Sequence, residues 1–196
     1  MYSDGDGHFA ITLTMILLGM GIGASIGAGI GVGTSLYQDY KDDGSINGSI
    51  GIGGYLGNIL GGAIAGAGTG FATVLGAGVG VSILTGKGLT ILGVSATAKA
   101  AFGIGVGASA LASGAGYSLN AAISPNKEWS ALQFMKEIVV GGINGVLSFG
   151  TGFVGGYTST RIPGTKVGLK TFAVRTLIEQ ELTTPLKLLL SLLKNM

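Results

Sequence analysis

The stretch that decides the fold is GMGIGASIGAGIGVG, residues 19–33, in which Gly19, Gly23, Gly27 and Gly31 recur at every fourth position. On an α-helix, residues four apart lie on one face, so these glycines would form a groove without side chains. A second helix can approach such a groove closely and gain van der Waals contact that lipid chains do not supply. The row therefore predicts a helix that packs through glycine inside a membrane.

Two similar rows follow, and together with the first they give ten predicted helix-packing positions. The later members are Gly53, Gly57, Gly61, Gly62, Gly66 and Gly70. Shorter sets also occur, at Gly76 and Gly80, at Gly103 and Gly107, and at Ser148, Gly152 and Gly156. With 40 glycines among 196 residues many pairs four apart arise by chance, so only the long rows support a prediction.

The rows lie in long runs without a charged residue. Residues 9–36 would form roughly 40 Å of helix, and a hydrocarbon core is about 30 Å thick. Residues 44–86 are long enough for two crossings, with a turn predicted near Gly66–Gly70 because glycine tolerates positive φ. Residues 100–126 form a further uncharged run.

The composition excludes an ordinary soluble domain. Only 10% of the residues are charged, whereas soluble domains have about 25%. Three prolines exclude collagen, and the Ile, Ala, Leu and Val that surround the glycines argue against a disordered linker. A β-structure remains an alternative for GIGVG and SIGIGG, but a membrane barrel needs polar residues facing its lumen, so helices are favoured.

The second half of the chain differs in character. Ser124-Pro125 predicts a helix start, and Trp129, Leu132, Met135 and Val139 at helical spacing predict an amphipathic entry to the apolar run 138–160. The chain from Arg161 is basic and leucine-rich. It predicts a helical tail that binds an anionic lipid surface through Lys166, Lys170, Arg175, Lys187 and Lys194.

The predicted fold is all-α, with about four to six glycine-zippered transmembrane helices and an amphipathic basic helical tail. The predicted segments are residues 1–8, the membrane helices 9–123, an amphipathic-to-hydrophobic segment 124–160, and the tail 161–196.

Residues suited to catalysis or metal binding are few. There is no cysteine and one histidine, His8, which we predict to be inert in an exposed turn. Asp39, Asp42 and Asp43 lack the spacing of a calcium loop and predict a solvated segment. Strings such as Gly29-Ile30-Gly31 do not indicate a nucleotide site in so glycine-rich a chain. We expect no enzyme, no cofactor, no bound metal and no nucleic-acid partner.

The N-terminal string MYSDGDGHFAITL resembles the end of an RHS-repeat core, with Met1, Tyr2, Asp4, Gly7 and His8 at matching positions and Gly5 where that family has proline. Residues 37–70 are similar in composition to the Gly-rich hydrophobic region that follows the core in many polymorphic toxins. The resemblance covers residues 1–85. Asp4 matches a position linked to self-cleavage, but the rest of that machinery lies upstream of the matched region.

The resemblance implies a secreted toxin fragment, with the RHS shell and an immunity protein as partners. The expected function is that of a membrane-inserting module, which either forms a pore or delivers a toxin. Its helices would associate through their glycine zippers in the bilayer of a target cell, where several copies could form a homo-oligomer. Two alternatives stay open. One is a small helical effector at residues 124–196 preceded by a hydrophobic region packed in the shell, and the other is a scaffold-type membrane protein.

Overall fold

The structure, a computed structural model, describes residues 7–125 and 127–159, without the side chains of Asp43 and Ser159. Four long helices and three short strands occupy these residues. In chain order they are β1 (Phe9–Ile11), α1 (Leu13–Asp43), α2 (Gly51–Thr85), β2 (Leu89–Ile91), β3 (Val94–Ala96), α3 (Ala98–Ile123) and α4 (Ala131–Ser159). The predicted basic tail, with Lys166, Lys170, Arg175, Lys187 and Lys194, lies outside the described residues.

Local signals fix both ends of α1. The side chain of Thr12 accepts a hydrogen bond from the Met15 backbone N–H at 3.4 Å, which caps the first turn. Gly44 ends the helix in the left-handed conformation at φ 77°, and its N–H donates to the Tyr40 carbonyl. The helix thus continues through most of the polar segment 37–47, which the composition alone presents as a break.

The predicted turn near Gly66–Gly70 is wrong, because α2 runs unbroken from Gly51 to Thr85. Glycine permits a turn but does not require one. A helix satisfies its own backbone hydrogen bonds, and these glycines allow neighbouring backbones to approach. The uncharged run 44–86 therefore contains one helix, Gly51–Thr85, and not two crossings.

The four helices run alternately up and down, and α2 is the central one. It packs against α1, α3 and α4. In the most apolar 18-residue stretch of α2, 72% of the residues are buried inside the protein, compared with 28% in the corresponding stretches of α1 and α4. The core accordingly lies along α2, with Val74 and Leu75 fully buried.

The predicted helix start at Ser124-Pro125 is also wrong. Ser124 ends α3, and its backbone N–H donates to the Asn120 carbonyl at 2.9 Å. The next helix begins only at Ala131. The Ser-Pro pair therefore marks a helix end, which is consistent with the tendency of proline to stop a helix that precedes it.

A three-stranded sheet, which the sequence patterns did not reveal, closes one end of the bundle. Strand β1 pairs in parallel with β2, and β2 pairs with β3 in a hairpin. Leu92 and Gly93 both have positive φ, as a two-residue hairpin turn requires. Ile11 and Leu89 of this sheet pack on α2 at Gly78. We call this end of the bundle the sheet end. The opposite end, which includes residues 44–50, 124–125 and 127–130, is called the loop end.

The prediction of a mainly helical chain with membrane-length helices is confirmed. Three of the described helices, α1, α2 and α4, are long and apolar enough to cross a membrane. Helix α3 has 26 residues but is not among these three.

Candidate membrane-facing surface and glycine seams

Helices α1 and α2 meet along a seam of glycines in antiparallel register. Gly23 of α1 faces Gly66 of α2, and Gly27 faces Gly62. A Cβ on Gly27 would lie 2.8 Å from the carbonyl carbon of Gly62, whereas real Cβ atoms essentially never approach within 3.0 Å. The two backbones are therefore in direct contact, and any side chain here would push them apart.

The same register extends along the whole seam. Gly19 lies against Gly70 and Val74, and Gly31 lies against the backbone of Asn58. The structure thus brings together all four positions of the first row with Gly62, Gly66 and Gly70 of the offset row.

The row Gly53, Gly57 and Gly61 lies on another face of α2 and meets α3. Gly61 packs against Gly116, and a Cβ on Gly57 would lie 2.6 Å from the side-chain oxygen of Asn120. Gly61 and Gly62 are consecutive in the chain but serve different neighbours. One glycine-rich helix can therefore hold two partners at backbone distance.

The shorter sets divide between seams and open surface. Gly152 and Gly156 of α4 pack on the backbone of Thr73 and Ala77 in α2. Gly103 and Gly107 of α3, by contrast, have nothing within 4 Å of a built Cβ. Residues 131–159 therefore share one bundle with α2, and spacing alone does not distinguish a packed pair from an exposed one.

Helix α1 presents two rows with the same four-residue spacing. The inward row, Gly19, Gly23, Gly27, Gly31, Ser35 and Asp39, is buried at every member. The outward row, Leu17, Gly21, Ser25, Gly29, Gly33 and Tyr37, is exposed at every member. A Cβ built on any of the three outward glycines meets nothing within 4 Å.

Asp39 is fully buried, so its predicted place in a solvated segment is wrong. Its carboxylate accepts hydrogen bonds from the Gly48 N–H at 2.8 Å, the Ser49 hydroxyl at 2.8 Å and the Tyr55 hydroxyl at 3.0 Å. A buried carboxylate is tolerated when such donors surround it. Asp39 thereby ties the end of α1 to the start of α2, while Asp42 remains exposed.

A chain of side-chain amides joins three helices beside this carboxylate. Asn58 of α2 donates to Ser35 of α1 at 3.2 Å and to Gln38 at 2.9 Å. Asn120 of α3 donates to the Asn58 side-chain oxygen at 2.8 Å and accepts from Ser124 at 2.8 Å. These residues were not among the predicted packing positions. The signal available was Asn58, which follows Gly57 directly and lies four residues before Gly62.

The outer surface of the bundle is apolar. Large hydrophobic side chains that are exposed occur on all four helices, for example Leu17, Leu60, Leu111 and Val146. Leu132, Met135 and Val139, the predicted amphipathic face of α4, are each more than half exposed and so face outward. Exposed large apolar side chains on every helix are unusual for a soluble monomer and mark contact with lipid or with another protein.

Charged residues are confined to the two ends of the bundle. Between them every helix has a charge-free length, and the shortest, residues 138–159 of α4, is about 22 residues or about 33 Å long. That length slightly exceeds the roughly 30 Å of a hydrocarbon core. At the loop end Tyr37, Tyr40 and Trp129 are about half exposed, as in the aromatic belts of membrane proteins.

Conventional sites are not evident in the described residues. Within residues 7–125 and 127–159, no group of three His, Asp or Glu side chains is placed to hold a metal ion. His8 is half-buried with its ring against Gly88, not exposed as predicted. Gly29-Ile30-Gly31 lies inside α1, where the backbone N–H groups serve the helix and cannot cradle a phosphate.

Comparison with known proteins found no family model, no curated protein and no solved structure that matches this chain.

Proposed function

We propose that this protein is a non-enzymatic, membrane-inserting helical module that crosses a bilayer with its four-helix bundle. The observation that carries the proposal is the apolar outer surface around a charge-free length matched to the hydrocarbon core. Helix α3, though less apolar, would cross with the others because it is packed on α2 and α4.

The glycine seams would hold this bundle together in lipid. The hydrophobic effect gives no drive for helices to associate within a bilayer, so close packing and interhelical hydrogen bonds must supply the stability. The backbone contact of Gly23 with Gly66 and of Gly27 with Gly62 supplies the first. The Asn58–Asn120 hydrogen bond supplies the second.

Permeabilisation would require several copies of the chain. In one copy the centre is occupied by α2, whose glycines are in backbone contact with α1, α3 and α4. The outward row of α1 offers a second small-residue surface on which another copy could pack. With the resemblance of residues 1–85 to RHS-associated toxins, this favours a pore-forming or toxin-delivery module that acts as a homo-oligomer on a target membrane.

The experiment is dye release from lipid vesicles. The full chain should resist carbonate extraction and release the dye. The double variant Gly21→Leu with Gly29→Leu should still insert but release much less, because it blocks the outward row without touching the bundle. Gly23→Leu with Gly27→Leu should also insert but release no dye, because it forces α1 from α2 and disrupts the bundle.

Each outcome distinguishes one part of the proposal. A chain that inserts stably but releases no dye would support the scaffold alternative and contradict the pore. Full release by the Gly21→Leu, Gly29→Leu variant would contradict oligomerisation through the outward row. Complete extraction of the unmodified chain by carbonate would refute membrane insertion.

A further inference from the structure

The two ends of the bundle differ in charge. At the loop end the described lysines, Lys41, Lys127 and Lys136, are each followed directly by an acidic residue, Asp42, Glu128 or Glu137. At the sheet end, residues 7–12, 86–99 and 155–159 include Lys87 and Lys99 and no Asp or Glu. Asp39 and Asp43 bring the loop end to five carboxylates against three lysines, so the bundle is acidic at one end and basic at the other.

The orientation of membrane helices follows the number of lysine and arginine residues near their ends, to which aspartate and glutamate contribute little. The loop end has three lysines, Lys41, Lys127 and Lys136. Helix α4 ends at the sheet end at Ser159, and the sequence has Arg161, Lys166, Lys170 and Arg175 within the next 16 residues. Together with Lys87 and Lys99, the segments that flank the sheet end therefore hold twice as many cationic residues as those at the loop end.

We propose that the bundle has a fixed orientation, with its sheet end against the anionic, cytoplasmic surface of a membrane and its loop end on the opposite side. This proposal rests on the membrane insertion proposed above. Lysine and arginine near the ends of membrane helices favour the cytoplasmic side, and each is attracted to an anionic lipid surface. The sheet end is therefore a lipid-headgroup surface, and the buried Asp39 cap lies across the bilayer from it.

The absence of cysteine from the sequence permits a direct test. Ser45→Cys places one thiol at the loop end and Ser95→Cys places one at the sheet end, and both serines are exposed. The full-length variants are expressed in bacteria, and spheroplasts are treated with a membrane-impermeant maleimide before or after lysis. We expect the Ser45→Cys variant to be labelled in intact spheroplasts and the Ser95→Cys variant only after lysis.

A charge-reversal pair sharpens the test. Lys87→Glu with Lys99→Glu, in the Ser95→Cys background, should raise labelling in intact spheroplasts severalfold because the sheet end loses most of its excess of lysine and arginine over the loop end. Lys41→Glu at the loop end is the matched control and should leave the pattern unchanged.

The opposite labelling pattern, or equal labelling of both positions in intact spheroplasts, would overturn the orientation while leaving membrane insertion intact. An unchanged pattern in the Lys87→Glu, Lys99→Glu variant would overturn the charge mechanism. Labelling of both positions only after lysis, with a chain that carbonate extracts, would overturn membrane insertion and the orientation together.

Discussion

The inward and outward rows of α1 have the same spacing, and both are rich in glycine, yet one is buried throughout and the other exposed throughout. The difference lies in what each row meets. Gly62, Gly66 and Gly70 of α2 face the inward row in matching register, while the outward glycines have open space. A glycine row is therefore a surface on which a helix can pack, and it becomes buried only where a second helix presents matching small residues.

The inward row is also completed by polar residues. Beyond Gly31 it continues at the same spacing into Ser35 and Asp39, which bond to α2 and to the loop that precedes it. The outward row instead ends at Tyr37, which is half exposed. Close packing and polar contacts thus fall on one face of α1, and both hold the α1–α2 pair.

The largest expected effect comes from a side chain placed in the seam. Gly27→Leu should lower the free energy of unfolding by about 3 kcal/mol or more, because backbone atoms of Gly62 and Gly66 occupy the space and cannot rotate away. Reversible unfolding of the protein in detergent, followed by circular dichroism, measures this loss.

Gly29→Leu on the outward row is the control, and we expect a change within about 0.5 kcal/mol. Equal losses in the two variants would show that the rows do not differ in packing.

The next largest effect is expected at Asp39. Asp39→Ala removes the carboxylate that accepts hydrogen bonds from the Gly48 N–H and from the Ser49 and Tyr55 hydroxyls, so these three donors lose their acceptor. We expect a clear fall in the unfolding midpoint together with faster hydrogen exchange at the start of α2. Asp42→Ala replaces an exposed carboxylate of the same helix and should leave both the midpoint and the exchange rate unchanged. Similar behaviour of the two variants would mean that the cap does not hold the helix pair.

How much of this could be read from the sequence depends on how local the signal is. The i, i+4 recurrence of Gly19 to Gly31 predicts a face, and the charge-free runs predict helices of membrane length. Only the inward row of α1 has four glycines in succession, and it is the row that packs. Which residues of α2 it meets depends on the register between the two helices, a tertiary property that the pattern of one helix does not contain.

The wrong predictions have a related cause. AGAGTG at residues 65–70 permits a turn, but its glycines serve as contact points between helices, and a continuous helix satisfies every backbone group. Asp39 reads as a loop residue because its donors come from residues 48–55, up to 16 positions later. The strands have only three residues each, too few for a period-two pattern to stand out.

The smallest effect is expected in the amide chain beside Asp39. Asn58→Ala, Asn120→Ala and the double variant form a cycle that isolates the 2.8 Å hydrogen bond between α2 and α3. Interhelical hydrogen bonds in membranes average about 0.6 kcal/mol and reach about 1.7 kcal/mol, so we expect a coupling in that range. A coupling larger than the loss in Gly27→Leu would reverse the order of effects and make polar bonds, not backbone contact, the main stabilising interaction. A coupling near zero would leave the glycine seams as the principal source of stability, since the bond would then only fix the register that the seams already set.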